Sequence, residues 1–487
     1  MNCTVVRRGC ITPTRIDHNM RFLVLLRPPQ DDAKKKIRYK NKSIIFASKL
    51  DKCKYLFSKS EVKVAVKEKC MSEMTKYIEI IKAYSKDAYK KITREANGNL
   101  RYPFIVPGAP YPFELWDWDS WLTDIAIRQI IIDNGETGDD YIEYERGCIL
   151  NFLEHTDERG NMPILIDSTQ DVTFLANCKN MHKPCLAQHL AFILQISDNN
   201  TAWLTDEHFA ALERFIACYK REFRHDETGL YRFLDDTAIG VDNDPSIFYR
   251  PFGSTASIYL NCLMYKELLA MEYIFRARGD EAKAEFYARE AAELRDLVRE
   301  HLWDERNGMY YSADISLYPV DPTEWLHSGK PRHWKSLIMR IDEWSGFLAM
   351  WAGIATPEEA ERMVRENMLN ERTFWSNYGI RSLSKCEKMY KIWQSGNPSC
   401  WIGPIWGNAN YMCWRALLDY GYEAEALELA KRTVEMFGRG IEEHGDMHEY
   451  YHPDTGEGVH NISFQSWNLL VNNMIAWLEG RERVVEF

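Results

Sequence analysis

Residues 448–452 read His-Glu-Tyr-Tyr-His. This is the H-E-x-x-H pattern in which two imidazoles on one helical face hold zinc and the glutamate activates metal-bound water. That chemistry needs a helix. Pro453 follows His452 directly and pushes it out of the α region, and Asp454-Thr455-Gly456 continues as a turn. The stretch therefore reads as a loop, with Glu449 beside two tyrosines, and no metal ligand is assigned.

Three further loop segments set carboxylates among aromatic rings. Pro110–Trp121 contains Trp116, Asp117, Trp118 and Asp119 just before a helical pattern, where Asp119 or Ser120 can also serve as a cap. Gly240–Ser246 holds Asp242 and Asp244 in a polar turn, which equally suits an ordinary Asx turn. In Cys400–Tyr411, Trp401 and Trp406 frame a Gly-Pro turn and also suit a hydrophobic core. Rings with a flat apolar face and a polar tip, placed beside carboxylates, fit a sugar site. Glycoside hydrolysis requires two carboxyl groups across the scissile bond, one protonated to assist the leaving group and one ionised. Aromatic walls raise the acid's pKa by desolvation. Asp242 and Glu449 lie 207 positions apart, and spacing alone does not select them from 72 acidic residues.

These loops must be positioned by helices. From about residue 71, apolar residues recur at helical spacing over 71–92, 119–133, 139–154, 182–197, 206–222, 254–277, 281–303, 343–354, 357–369, 407–420, 422–438 and 463–479. Within 281–303 the stripe is Tyr287, Ala291, Leu294 and Val298; in 206–222 Asp206 is the expected cap of a Phe209–Tyr219 stripe. A weak repeat punctuates the helices: DERGNMP from Asp157, DETGLYRF from Asp226, DERNGMYY from Asp304 and PDTGEG from Pro453, the first three aspartates being 69 and 78 residues apart. Stacked helix pairs follow from such a pattern. An open solenoid and a closed all-α (α/α)6 barrel both fit. A dozen helices with long connections, such as 155–181 and 304–342, favours the toroid, because compact folds keep long loops mainly for function.

Residues 1–70 differ. They contain short β-like runs, Ile44–Phe46 and Val62–Val66, and read as an irregular or β extension before a helical domain over 71–487. They also hold 18 Lys and Arg against 6 Asp and Glu, whereas the whole chain has a net charge of −11. The basic run reads as a solvated face or extension, and the overall balance argues against a general nucleic-acid binder. The 12 cysteines show no C-x-x-C pair, and several fall inside apolar helical patterns, as expected for core thiols in a reducing cytoplasm. Phe22–Leu26 is too short for a secretory apolar region and runs into Pro28-Pro29; no apolar run is long enough to span a membrane.

Over residues 100–480 the four loop clusters resemble glycoside hydrolase family 63, and more distantly the trehalases. The resemblance is strongest to the short mannosylglycerate and glucosylglycerate hydrolases. It implies an (α/α)6 barrel acting on α-glycosides with inversion. The family's W-x-W-D segment is similar to Trp116–Asp119, whose aromatics and second acid line the sugar subsite. Its G-x-D-N-x-P segment is similar to Gly240–Pro245, which implies Asp242 as general acid, and its W-x-G-P-I-W segment to Trp401–Trp406. Its E-x-Y-x-P-x-T-G segment is similar to Glu449–Gly456, which implies Glu449 as general base. Gln188 resembles a sugar-binding glutamine. Cys400-Trp401-Ile402 stands where the family has Tyr-Trp-Arg, and Asp244-Pro245-Ser246 where it has Ser-Pro-Arg. Any binding of an anionic aglycone, which wants a fork of donors, then falls to Lys183 or Arg250. The resemblance implies no metal or organic cofactor and a small carbohydrate as partner, with no nucleic acid or membrane and self-association left open. The competing readings are a helical scaffold or binding protein without catalysis, and a zinc hydrolase using His448, Glu449 and His452.

Overall fold

Twelve α-helices alternate between two rings in the computed structural model, which describes residues 59–170, 179–318, 332–393 and 397–487. They are α1 (Lys59–Ala88), α2 (Asp117–Asp133), α3 (Ile142–Glu154), α4 (Leu186–Ile196), α5 (Asp206–Cys218), α6 (Ile258–Arg278), α7 (Glu281–Leu302), α8 (Leu348–Trp351), α9 (Pro357–Arg362), α10 (Gly407–Asp419), α11 (Glu423–His444) and α12 (Val471–Leu478). A 3-10 turn leads into α8 (Trp344–Phe347) and into α12 (Ser466–Leu470), and a π-turn extends α5 and α9.

The even-numbered helices close a ring. Helix α2 packs on α4, α4 on α6, α6 on α8, α8 on α10, α10 on α12, and α12 returns to α2. The odd-numbered helices lie outside: α7 covers α6, and α11 covers α10 and α12. Closure decides for the (α/α)6 barrel over the open solenoid. The side chains explain the division. Inner helices are buried around their whole circumference, as in α4, where Leu186 through Leu194 are all buried. Outer helices bury one stripe; in α7 it is Ala284, Tyr287, Ala291, Leu294 and Val298, with His301 and Leu302.

Helix starts follow local chemistry. Thr205, not Asp206, is the N-cap of α5: its side chain accepts from His208 N while the His208 ring accepts from Thr205 N. Thr356 and Glu359 form the same box at α9, with Pro357 in the first position. The four Asp/Gly motifs turn the chain after α3, α5, α7 and α11, and Gly160, Gly229, Gly308 and Gly456 within them have positive φ.

The run Val62–Val66 is helical, not β-like, since α1 passes through it. Alternating valines imitate a strand, yet they sit in a Lys-, Glu- and Ala-rich segment where each β-branched residue costs only about 0.7 kcal/mol or less. Ile44–Phe46 lies outside the described residues. Met71–Phe487 forms one compact unit, and the account below concerns it.

Candidate active site

The strand Glu114–Trp116, paired antiparallel with Leu165–Asp167, runs directly into α2. Trp116 occupies the N-cap position, so neither Asp119 nor Ser120 caps the helix. Asp117 fills the first position and is fully engaged. Its Oδ1 accepts from Trp118 N at 2.7 Å and lies 2.7 Å from Lys183 Nζ, while Oδ2 accepts from Lys183 N at 2.9 Å. Asp119 is thereby left free of capping. It accepts from Ser466 Oγ at 3.0 Å, on the turn before α12, and burial followed by the Asp117 charge holds its pKa well above the usual range.

The Asp242 loop is shaped by its neighbours. Gly240 has φ +91°, which favours glycine, and a Cβ there would sit tightly, 3.0 Å from the Trp118 ring. Asp244 supplies the Asx turn, accepting from Ser246 N at 2.7 Å and Ser246 Oγ at 2.6 Å. Asn243 donates from Nδ2 to Ser399 O at 2.6 Å. With the turn assigned to Asp244, Asp242 is released toward the cavity. Its Oδ1 is buried without a hydrogen-bond partner, and burial raises its pKa against the opposing influence of Asn397, Lys183 and Ser399.

Residues 448–452 form no helix. His448 bridges Ile462, and Tyr451 bridges Ile405 and Gly458. His452 Nδ1 accepts from Asp454 N and Thr455 N as part of the following turn, whereas the His448 ring packs edge-on to His444 at 5.0 Å. The shared helical face required by the zinc reading is absent. Glu449 instead takes its place through its backbone, donating to His460 O and Asn461 O at 3.0 Å. Its Oε2 accepts from Asn461 Nδ2 at 2.7 Å and Tyr111 OH at 3.1 Å. Burial, helped by the charge of Asp242, pushes the Glu449 pKa up to about 7, against the two donors.

The three loops meet. Asp119, Asp242 and Glu449 line one cavity of about 460 Å³ together with Trp116, Trp118 and Gly240. Three expected site residues do not line it. Trp401 and Trp406 stack on each other at 4.1 Å, one layer behind the wall; Trp401 touches Trp118 at 5.7 Å and Trp406 touches Trp467 at 6.1 Å. Gln188 is wholly buried, with Nε2 donating to Pro184 O at 2.7 Å and Leu263 O at 3.2 Å, where it ties α4 to α6. Of the two cations considered, Lys183 reaches the cavity, while Arg250 pairs with Asp314 at 2.6 Å and is not part of the lining. Sequence reasoning missed Tyr111, Phe464 and Trp467 on the wall and Asn461 on Glu449. Tyr111 lay inside a motif already singled out. Nothing local marks the others, because α12 brings in Phe464 and Trp467 only when the ring closes.

Two carboxyls, both with pKa raised by burial, face one aromatic-lined space. This is the arrangement acid–base cleavage of a glycosidic bond needs.

Residues 111–468 match the family model of the mannosylglycerate hydrolase MGH1-like glycoside hydrolase domain. A cytosolic neutral trehalase of Kluyveromyces lactis is 25% identical over 436 residues, covering 75% of this chain and 53% of that protein. A probable mannosyl-oligosaccharide glucosidase of Schizosaccharomyces pombe is 27% identical, covering 46% of this chain and 27% of that protein. The chain thus spans about half or less of the curated relatives it matches. Among solved structures, the mannosylglycerate hydrolase of Thermus thermophilus in complex with Tris and D-glycerate superposes with a TM-score of 0.59 at 16% identity, over 82% of this chain and all of the other. The neutral trehalase of Saccharomyces cerevisiae gives 0.57 at 17%, over 77% and 73%.

Proposed function

The chain belongs to the mannosylglycerate hydrolase MGH1-like glycoside hydrolase family, and we propose that residues 71–487 form an inverting exo-α-glycosidase acting on a small α-glucoside or α-mannoside. One observation carries the reading: Asp242 and Glu449, 207 positions apart, line the same aromatic-walled cavity. In this reading Asp242 protonates the glycosidic oxygen as it leaves. Glu449 takes a proton from a water that attacks the anomeric carbon on the opposite face. Inversion asks for carboxyl groups about 6.5–9.5 Å apart, enough to admit that water. Asp119 binds sugar hydroxyls, and Trp116, Trp118 and Trp467 provide apolar faces for the ring. Trp401 and Trp406 keep Trp118 and Trp467 in place from behind. The described cysteines are all free thiols, which suits action in the cytoplasm.

The test joins mutation to stereochemistry. Asp242→Asn and Glu449→Gln should each lower kcat by roughly 10³-fold or more while the circular dichroism spectrum stays that of wild type. NMR of the first-formed sugar should show the β anomer from an α-linked substrate. Near wild-type turnover in either variant, or the α anomer appearing first, contradicts the proposal.

A further inference from the structure

We infer that the site takes a neutral leaving group, an uncharged sugar or polyol, rather than an aglycone bearing a carboxylate such as glycerate. The inference rests on the glycosidase reading above for the side on which the leaving group sits. A general acid must reach the glycosidic oxygen, so the aglycone lies beyond Asp242. The cavity is also lined by the uncharged Thr237, Ala238, Asn397, Pro398 and Ser399, and by Lys183, whose charge acts on Asp242. Ser399 O accepts from Asn243 Nδ2 at 2.6 Å, which ties this segment to the Asp242 loop through the backbone.

Among the described residues the only cation lining the cavity is Lys183, and it is committed elsewhere. Its ammonium is 2.7 Å from Asp117 Oδ1, and neither side chain is more than 2% exposed. It also lies 5.4 Å from the centroid of the Trp118 ring. Drawing Lys183 to a ligand carboxylate would strand the buried Asp117 charge, which is strongly unfavourable. Ile402 and Cys400 are buried and offer no cationic donor; the Cys400 thiol faces Lys391 O at 3.7 Å. The other ionisable groups lining the cavity are the carboxyls Asp119, Asp242 and Glu449, none of which supplies positive charge. Among the described residues an anionic aglycone would find no uncommitted cation and no fork of donors, whereas hydroxyls can use the amide and hydroxyl groups of Asn397, Ser399 and Thr237.

Matched substrates test this: α-glucosylglycerol against α-glucosylglycerate, and the same pair built on mannose. Each is measured twice, as kcat/KM on the wild-type protein and as a dissociation constant on Glu449→Gln. The glycerol member of the productive pair should be favoured by roughly 100-fold in both measurements, the size expected for a carboxylate that loses water and gains no partner. Binding of the glycerate conjugate as tight as, or tighter than, that of its glycerol twin overturns the inference, and so does failure of either glycerol conjugate to bind. If wild type cleaves none of the four, the glycosidase reading fails, and the dissociation constants still decide the charge preference.

Discussion

Asp242 and Glu449 illustrate how neighbours assign roles to identical chemistry. Asp117 and Asp244 sit within two residues of Asp119 and Asp242, yet both are consumed by the backbone and by partners, one by Lys183 and the other by Ser246. The sequence separates these neighbours only through turn and cap chemistry, which is why Asp119 read equally well as a cap. Glu449 makes the sharpest prediction. As a base it must be ionised, so kcat/KM should rise with pH as it loses its proton near pH 7. Asn461 donates to its carboxylate and lowers that value, so Asn461→Ala should carry the acid limb of the profile upward by about one unit and lower the rate. Besides burial, the charge of Asp242 also raises the Glu449 pKa. If the alkaline limb moves instead, Asp242 ionises first and the roles need revision; if neither limb moves, Glu449 is not the group being read.

At the scale of elements, the strand-to-helix junction at Trp116–Asp117 and the Gly240 loop share one contact. A Cβ on Gly240 would meet the Trp118 ring at 3.0 Å and Lys183 Cε at 3.3 Å, so these neighbours must give by a few tenths of an ångström. Gly240→Ala must therefore displace either the indole or the Asp242 loop, on top of about 1–3 kcal/mol for a strained backbone. Turnover should fall by at least roughly 10-fold, given how steeply rates depend on placement. Gly279→Ala, at the C-cap of α6, has a similar positive φ but open space around its Cβ. It should cost stability without loss of kcat. Equal kinetic effects in the two variants would show that the Trp118 contact does not place Asp242. The outer helices were legible from 3.6-residue periodicity, as in α11, whereas inner helices such as α2 and α6, buried on most sides, keep little of it and are legible mainly as long apolar runs. The exact starts were less so: the expected helix over 182–197 begins only at Leu186, after Pro184 and the cavity-lining Lys183.

At the scale of the molecule, barrel closure brings the last helix to the first inner one. Phe464, Ser466 and Trp467 reach the site through the turn before α12, which packs on α2. Gly407, at the start of α10, lets that turn approach: an added Cβ would meet Asn468 Oδ1 at 2.4 Å and the Phe437 ring at 3.1 Å. Asn468 in turn donates to His448 O at 2.8 Å and Phe464 O at 3.1 Å, which links ring closure to the Glu449 loop. Gly407→Ala should lower Tm by about 1–5 °C, as overpacking of about 1–3 kcal/mol does in a domain of this size. It should also reduce kcat in parallel. An unchanged Tm would mean that the seam between α10 and α12 has slack the coordinates do not contain.

The sequence by itself determined the twelve helices, the glycine corners after the outer ones and the loops that carry Asp119, Asp242 and Glu449. Each depends on interactions among residues a few positions apart, through periodicity, capping and turn chemistry. Only the tertiary structure decided which aromatics face the cavity, moving Trp467 in and Trp401 and Trp406 one layer out, and that Gln188 joins two helices instead of lining the site. It also decided that Lys183 belongs to Asp117. Those outcomes depend on which segments hundreds of residues apart come into contact, and a side chain's exposure and charge partner are properties of that packing rather than of its neighbours in the chain.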